Sequence, residues 1–148
     1  MSSVRDRRLL SESASQFFAR FNPTHYFTLT YAGTWGEERR LWAFSEWTDA
    51  VEWLQRRNLG WLRADEMRRS RHSGLGLPEI APHHHGLLFD TENLSCGDAE
   101  GIWRSFAGDA RVERYRPDGG ALEYSLKLAF YESGDWQFGG KSLTRRRH

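Results

Sequence analysis

Residues 81–90 read APHHHGLLFD, in which the triplet His83-His84-His85 leads into the apolar run Gly86-Leu87-Leu88-Phe89. The run predicts a buried strand. Alternate side chains of a strand point to opposite faces, so His83 and His85 share one face and His84 takes the other. Two imidazoles at this spacing are a pair of nitrogen ligands for a divalent metal. The triplet therefore predicts a metal site, against the alternatives of a purification tag and a solvated histidine loop.

The bulk composition predicts one domain spanning residues 1–148, because a chain of this length builds a single core. The net charge of +1 neither favours nor excludes a nucleic-acid partner. Of the 21 basic residues, only Lys127 and Lys141 are lysines, and the rest are arginines, which bind phosphate in a bidentate manner. The lone Cys96 excludes a disulfide framework and a cysteine-based zinc cluster. It is typical of a reducing compartment, so we expect a cytoplasmic protein.

A membrane location is not expected. No apolar run approaches the ~20 residues of a membrane span, and residues 1–20 lack the apolar core of a signal peptide.

The residue patterns alternate between strand-like and helix-like segments. We predict helices at about 5–21, from Ser45 to near Gly60, from Ser95 through Phe106, and at 121–132. We predict strands at 25–34, 41–44, 61–68, 81–90 and 110–116. A Gly-rich loop is expected at 70–79, a turn at 117–120 and an Arg-rich tail at 141–148. Ser95 followed by Asp98 resembles a capping box. This order predicts an α+β architecture, in which an antiparallel sheet is flanked by helices.

The strand before the Gly-rich loop offers a third metal ligand. Its alternation places Leu62, Ala64 and Glu66 on the apolar face, so Glu66 is directed inward with the core side chains of its strand. An inward carboxylate needs a partner, and a metal supplies one. The alternatives are a Glu66 that reaches solvent at the sheet edge, and Asp65 as the ligand instead.

A His-x-His pair also occurs in cupin-like metal sites, which need a further histidine on a later strand. After His85 the only histidine is His148, so the cupin interpretation lacks a ligand.

The predicted helix at 121–132 carries a candidate nucleophile. Its apolar stripe leaves Tyr124, Lys127 and Tyr131 on the opposite side, with Lys127 one turn from Tyr124. A phenol with a pKa of about 10 is a poor nucleophile at neutral pH. A nearby metal that polarises a phosphodiester and an ammonium group that favours phenolate would overcome this.

Four segments in this order resemble the HUH endonuclease superfamily, and within it the single-tyrosine rolling-circle replication initiators. The segments are Phe27-Thr28-Leu29-Thr30-Tyr31, Glu66 before the long loop, His83-His84-His85 as His-hydrophobic-His, and Tyr124-Ser125-Leu126-Lys127 as Tyr-x-x-Lys. The resemblance implies a central five-stranded antiparallel sheet of the RNA-recognition-motif type, with the histidines on a central strand.

The resemblance also implies a function: site-specific nicking and strand transfer of single-stranded DNA, often at a hairpin-borne origin of a plasmid or virus. Tyr124 would form a 5′-phosphotyrosine link, assisted by Lys127, while His83, His85 and Glu66 would hold Mn²⁺ or Mg²⁺. The implied partners are the host replication helicase and polymerase. Tyr131, Arg63, Arg68 and Arg69 are candidate DNA contacts.

Two other functions remain open from the sequence. One is a single-tyrosine transposase of the same superfamily. The other, from a different class, is a non-catalytic module that binds single-stranded nucleic acid on aromatic side chains and holds a structural metal.

Overall fold

The computed structural model describes residues 16, 18, 20–66, 82–116 and 135–144. Its elements, in chain order, are β1 (Pro23–Thr30), α1 (Glu37–Gln55), β2 (Gly60–Glu66), β3 (His83–Phe89), α2 (Cys96–Arg104), β4 (Ala110–Arg114), β5 (Asp135–Gly139) and α3 (Lys141–Thr144). The strands form one five-stranded sheet in the order β4-β1-β3-β2-β5, and each neighbouring pair is antiparallel. This confirms the predicted α+β fold with a five-stranded antiparallel sheet and flanking helices.

The histidine strand β3 lies at the centre of the sheet, between β1 and β2. On one side His85 is the Cα partner of Thr28, and His83 is the partner of Thr30. On the other side Ala64 is the partner of His85. The pairing is tight near Gly86, because a Cβ added there would lie 1.9 Å from the backbone oxygen of Leu62. The glycine therefore allows β2 and β3 to approach at this point.

One face of the sheet is packed under α1 and α2, and we call it the helix-covered face. Its core joins Phe27, Leu29 and Leu88 of the sheet to Phe44, Trp47 and Val51 of α1 and to Ala99 and Trp103 of α2. Both buried indoles are satisfied: Trp47 Nε1 donates to the Ala99 carbonyl at 2.9 Å, and Trp103 Nε1 donates to the Thr30 carbonyl at 2.8 Å. The first bond joins α1 to α2, and the second joins α2 to β1 of the sheet.

The opposite face carries His83 and His85, and we call it the histidine face. A second apolar cluster lies there, formed by Phe18, Leu62, Leu87, Phe89 and Leu143.

Gln16 and Phe18 are helical, and the rest of the predicted helix at 5–21, apart from the turn residues at its end, lies outside the described residues. The predicted Arg-rich tail at 141–148 begins as α3, whose Leu143 is buried. Residues 145–148 lie outside the described part.

The predicted short strand at 41–44 is wrong, because these residues belong to α1. The helix buries Ala43, Phe44, Trp47 and Val51, a spacing of one face of a helix, while Leu41 and Trp42 are exposed. A short apolar run does not distinguish strand from helix by periodicity. The helix begins at Glu37, eight residues before the predicted start at Ser45, and ends before Arg56, whose φ is 54°.

The remaining predictions differ mainly in their ends. The strands at 61–68, 81–90 and 110–116 correspond to β2, β3 and β4, and the capped helix is α2, in which Ser95 Oγ accepts a hydrogen bond from the Asp98 backbone N–H at 3.3 Å. Strand β5 was not predicted. The Gly-rich loop at 70–79, the turn at 117–120 and the helix at 121–132 lie outside the described residues. Among the described helices, none has the length and apolarity to cross a membrane.

Candidate metal centre

His83 and His85 lie side by side on the histidine face of the central strand. Their ring centroids are 4.7 Å apart and their planes are inclined by 82°. Both residues are partly exposed, whereas His84 between them is buried. The alternation predicted from the sequence is therefore what the strand adopts, and it presents two imidazoles together at an accessible surface.

Hydroxyl groups from β1 orient one of these imidazoles. Nδ1 of His85 lies 3.1 Å from the Tyr26 hydroxyl oxygen and 3.3 Å from Thr28 Oγ1. The Tyr26 ring also stacks on His85, with centroids 6.4 Å apart and planes inclined by 20°. A metal-ligating imidazole commonly donates its second N–H to such an oxygen, which fixes the tautomer and the ring direction. These contacts make Nε2 the His85 nitrogen suited to a metal.

The predicted third ligand, Glu66, is the Cα partner of His83 in the β2–β3 pairing. Directly paired residues of an antiparallel sheet occupy the same face, so Glu66 is at a position on the histidine face. Its side chain is not among the described ones, and among those that are, no group of three or more His, Cys, Asp and Glu could hold a metal. Two imidazoles and one carboxylate position offer two nitrogen donors and one oxygen donor to a divalent metal and leave coordination positions open; that this metal is Mn²⁺ or Mg²⁺ stays a prediction.

The middle histidine belongs to a buried polar group on the helix-covered face. His84 Nδ1 lies 2.5 Å from Asp65 Oδ1, and His84 Nε2 lies 2.5 Å from the Tyr31 hydroxyl oxygen. Arg63 Nε lies 2.9 Å from the same Asp65 oxygen. We call Arg63, Asp65, His84 and Tyr31 the buried clamp. Asp65 therefore faces away from His83 and His85, and the alternative in which Asp65 is the metal ligand is wrong.

Burial governs the electrostatics of the clamp. Desolvation lowers the pKa of His84 despite the opposing effect of Asp65, and desolvation together with the Asp65 charge raises the pKa of Tyr31. Desolvation alone would raise the pKa of Asp65, but the hydrogen bond from His84 and the nearby charge of Arg63 outweigh it and lower that pKa. Near neutral pH the clamp thus holds a neutral His84 beside an ionised Asp65.

The expectation that Arg63 contacts DNA is corrected by its position. Arg63 is 2% exposed on the helix-covered face. Its guanidinium carbon lies 4.6 Å from the ring centroid of Phe44 and 5.1 Å from that of Trp61. Its Nε–H has no aligned acceptor among the described residues, so the contact with Asp65 is an ion pair rather than a hydrogen bond. A nucleic-acid backbone cannot reach this guanidinium.

The structure does not describe the other predicted site residues. Tyr124, Lys127, Tyr131, Arg68 and Arg69 all lie outside the described residues. Their assignments as nucleophile, assisting cation and DNA contacts stay predictions.

Sequence reasoning missed the residues that support the histidines. Tyr26 and Thr28 contact His85, and Tyr31 contacts His84. The signal was present in the alternation of β1, where Tyr26, Thr28 and Thr30 share a face. The pairing register between β1 and β3 was needed to turn that alternation into contacts.

An open cleft of about 720 Å³ lies at the same end of the sheet as His83. Thr30, the Cα partner of His83, lines it together with Trp35, Arg39, Arg104 and Phe106. The guanidinium carbon of exposed Arg39 lies 3.7 Å from the ring centroid of Trp35. The cleft therefore combines cationic and aromatic groups, and Thr30 connects its lining to the strand that pairs with His83.

Comparison with known proteins yields a fold likeness. No protein-family model and no curated protein matches the chain. The crystal structure of the hypothetical protein ORF119 from Sulfolobus islandicus rod-shaped virus 1 is similar to it, with a TM-score of 0.53 and 15% sequence identity. The match covers 82% of this chain and 94% of that one. At this identity the similarity concerns the fold alone.

Proposed function

We propose that this protein is a metal-dependent nickase and strand-transferase of single-stranded DNA that initiates rolling-circle replication through a 5′-phosphotyrosine link. The observation that carries the proposal is the pair His83 and His85, 4.7 Å apart on the open face of the central strand, with Glu66 paired to His83. Buried core histidines do not need this accessible, same-face arrangement, whereas a metal site does.

The chemistry assigns distinct roles to the residues. A bound Mn²⁺ or Mg²⁺, held by His83, His85 and Glu66, would polarise the scissile phosphate as a Lewis acid. The phenol of Tyr124 gives up its proton as its oxygen attacks phosphorus, the bond between phosphorus and the 3′ oxygen breaks, and one proton passes to that 3′ oxygen, so the protons balance. Lys127 stabilises the developing charge near the phosphate. One phosphodiester replaces another, so the linked strand can later be rejoined.

The surroundings of His85 suit approach by a nucleic-acid backbone. Its Cα partners on the neighbouring strands are Thr28 and Ala64, two small side chains. The helix-covered face is closed by α1 and α2, so a substrate approaches from the histidine face. The bound DNA strand can continue into the cleft beside Thr30, because Arg39 can pair with phosphate or stack on a base.

A nicking assay tests this proposal. Wild-type protein is incubated with a pool of single-stranded DNA and Mn²⁺, and denaturing gels detect cleavage products with extendable 3′ hydroxyls. We expect cleavage that EDTA abolishes and that His83→Ala, His85→Ala and Glu66→Gln each reduce at least 100-fold. The matched control His148→Ala, which removes a histidine outside β3, is expected to cleave normally. Cleavage that survives in His83→Ala and His85→Ala would overturn the metal assignment.

A second candidate is the non-catalytic nucleic-acid-binding module with a structural metal. The cleft with Arg39 stacked on Trp35 favours it, because such a surface binds single strands without any reaction. The same assay separates the two candidates. Retention of DNA on a native gel without any cleavage in the pool would favour the module.

A further inference from the structure

We propose that His84 is a positioning residue, held by the buried clamp, that sets the register of β3 and so presents His83 and His85 together for metal binding. The inference rests on the proposed metal site. It assigns to the middle histidine of the triplet a role that neither metal ligation nor apolar packing explains.

The clamp ties the central strand to both of its neighbours through a single ring. Asp65, the Cα partner of His84 on β2, accepts from Nδ1 at 2.5 Å. Tyr31, which directly follows β1, meets Nε2 at 2.5 Å. His84 is only 2% exposed, so these bonds form away from competing water. The ring is thus held at both ends, one from each flanking strand.

The sequence of β3 alone does not define the register in which this strand pairs with its neighbours. A shift of one residue in strand pairing moves every side chain to the opposite face. In HHHGLLF such a shift replaces a histidine by a histidine at two positions and a leucine by a leucine at another. Side-chain polarity therefore discriminates weakly between registers over this strand. A shifted strand would place His84 on the histidine face and carry His83 or His85 under the helices.

Two local features distinguish the observed pairing register of β3 from a register shifted by one residue, which the pattern of polar and apolar side chains does not. The position opposite Arg63 accepts only a glycine, because a Cβ there would clash with the Leu62 backbone oxygen and with Phe27 Cζ at 2.6 Å, so a shifted register would put a larger residue at this point. The His84 hydrogen bonds are directional and are satisfied in this register alone. Asp65 Oδ1 lies 2.5 Å from Nδ1, and the Tyr31 hydroxyl oxygen lies 2.5 Å from Nε2 and 3.1 Å from the Arg40 carbonyl oxygen.

The test separates positioning from general stability. Mn²⁺ affinity is measured by the loss of the free-ion paramagnetic resonance signal for wild type, Tyr31→Phe, Asp65→Leu and Asp65→Asn, with folding verified by circular dichroism. The control is Val51→Ala, which lowers stability through the same helix-covered core but contacts no clamp residue by hydrogen bonding. Temperatures are chosen so that every variant is fully folded.

We expect Tyr31→Phe and Asp65→Leu to bind Mn²⁺ about tenfold or more weakly than wild type, the range typical of residues that support metal ligands. Val51→Ala should stay within twofold, and Asp65→Asn, which keeps an acceptor for Nδ1–H, should recover part of the affinity. Clamp variants that bind as tightly as Val51→Ala overturn the positioning role and leave the metal site intact. A wild type that binds no Mn²⁺ overturns both.

Discussion

Asp65, which is partly buried, and His84, which is buried, form a hydrogen-bonded pair directly behind the proposed metal site, with Oδ1 2.5 Å from Nδ1. The same carboxylate is the counter-ion of buried Arg63 at 2.9 Å. One acidic side chain therefore neutralises a buried guanidinium and orients a buried imidazole. Loss of Asp65 would therefore disturb both buried groups.

Replacement of Asp65 by leucine is expected to reduce the free energy of unfolding by about 3 kcal/mol or more, because it leaves the buried Arg63 charge without its counter-ion. Urea denaturation at neutral pH measures the change. The matched control is Glu113→Leu, which breaks the exposed ion pair between Glu113 and Arg111. That variant should change stability by about 0.5 kcal/mol or less. Equal losses in the two variants would contradict a special role for the clamp.

Gly86→Ala is expected to destabilise the protein by about 3 kcal/mol or more, or to prevent folding. A Cβ would overlap the Leu62 backbone oxygen at 1.9 Å, and the central strand pair cannot separate without losing its ladder. Gly101→Ala is the matched control, since nothing lies within 4 Å of its added Cβ in α2. There the substitution should stabilise by up to about 1 kcal/mol. Thermal unfolding of the two variants should therefore shift in opposite directions.

Acid is expected to destabilise the fold through His25, which is fully buried with Nδ1 2.7 Å from Thr91 Oγ1. Desolvation and the nearby Arg114 charge lower its pKa in the folded state. The unfolded chain therefore binds the proton first, and stability present above about pH 6.5 is lost as the pH falls towards the folded-state pKa. The slope from one histidine is at most about 1.4 kcal/mol per pH unit.

Urea midpoints between pH 7.5 and 5 measure this dependence. His25→Gln cannot titrate in this range, so its stability should fall less steeply over the same interval than that of wild type. Identical slopes in the two proteins would show that His25 is not the group responsible.

Tyr26→Phe and Thr28→Val remove the hydroxyl groups that contact His85 Nδ1. We expect each to weaken Mn²⁺ binding several-fold, because the imidazole loses an oxygen that fixes its tautomer and direction. Tyr115→Phe is a suitable control, as Tyr115 packs against the same apolar cluster as Tyr26. Isothermal titration with Mn²⁺ compares the three. An effect of Tyr115→Phe equal to that of Tyr26→Phe would argue against orientation through the hydroxyl.

The cleft predicts where single-stranded DNA runs beside the site. Arg39→Ala should weaken binding of a single-stranded oligonucleotide and reduce the slope of log affinity against log salt by about 0.7, the loss of one phosphate contact. Arg56→Asn removes the same charge about 26 Å along the helix axis, at the C-cap of α1, while tolerating the positive φ at that position. Its salt dependence should match wild type. Fluorescence anisotropy without metal makes the measurement independent of cleavage.

Much of the architecture could be predicted from the sequence because its signals are local. The alternation in β1, the histidine strand and the Ser95 cap each depend on neighbouring residues, and each was predicted correctly. The interpretation of 41–44 as a strand failed because the local apolar run concealed a helical period that becomes clear only over all of α1. Strand β5, with the sequence Asp-Trp-Gln-Phe-Gly, is too short to stand out and is recognised by its pairing with β2.

The sequence predicts the candidate site only in part, because the contacts of the histidines come from residues that are distant along the chain. Alternation alone assigned His83 and His85 to one face and His84 to the other, as the strand has them. The partners of these histidines come from other strands, so Tyr26, Thr28 and Tyr31 required the sheet register. The sequence predicts Arg63 as a DNA contact, since nothing in its local sequence reveals that Asp65 neutralises it inside the fold.

The most direct test of the central claim is to map the residue that becomes linked to DNA. Wild-type protein is incubated with cleavable single-stranded DNA and Mn²⁺, the DNA is digested, and the nucleotide-bearing peptide is identified by mass spectrometry. The account predicts one adduct, at Tyr124, that is absent with EDTA and in Tyr124→Phe and retained in Tyr131→Phe. An adduct that persists in Tyr124→Phe, or one that maps to Tyr131, would contradict it.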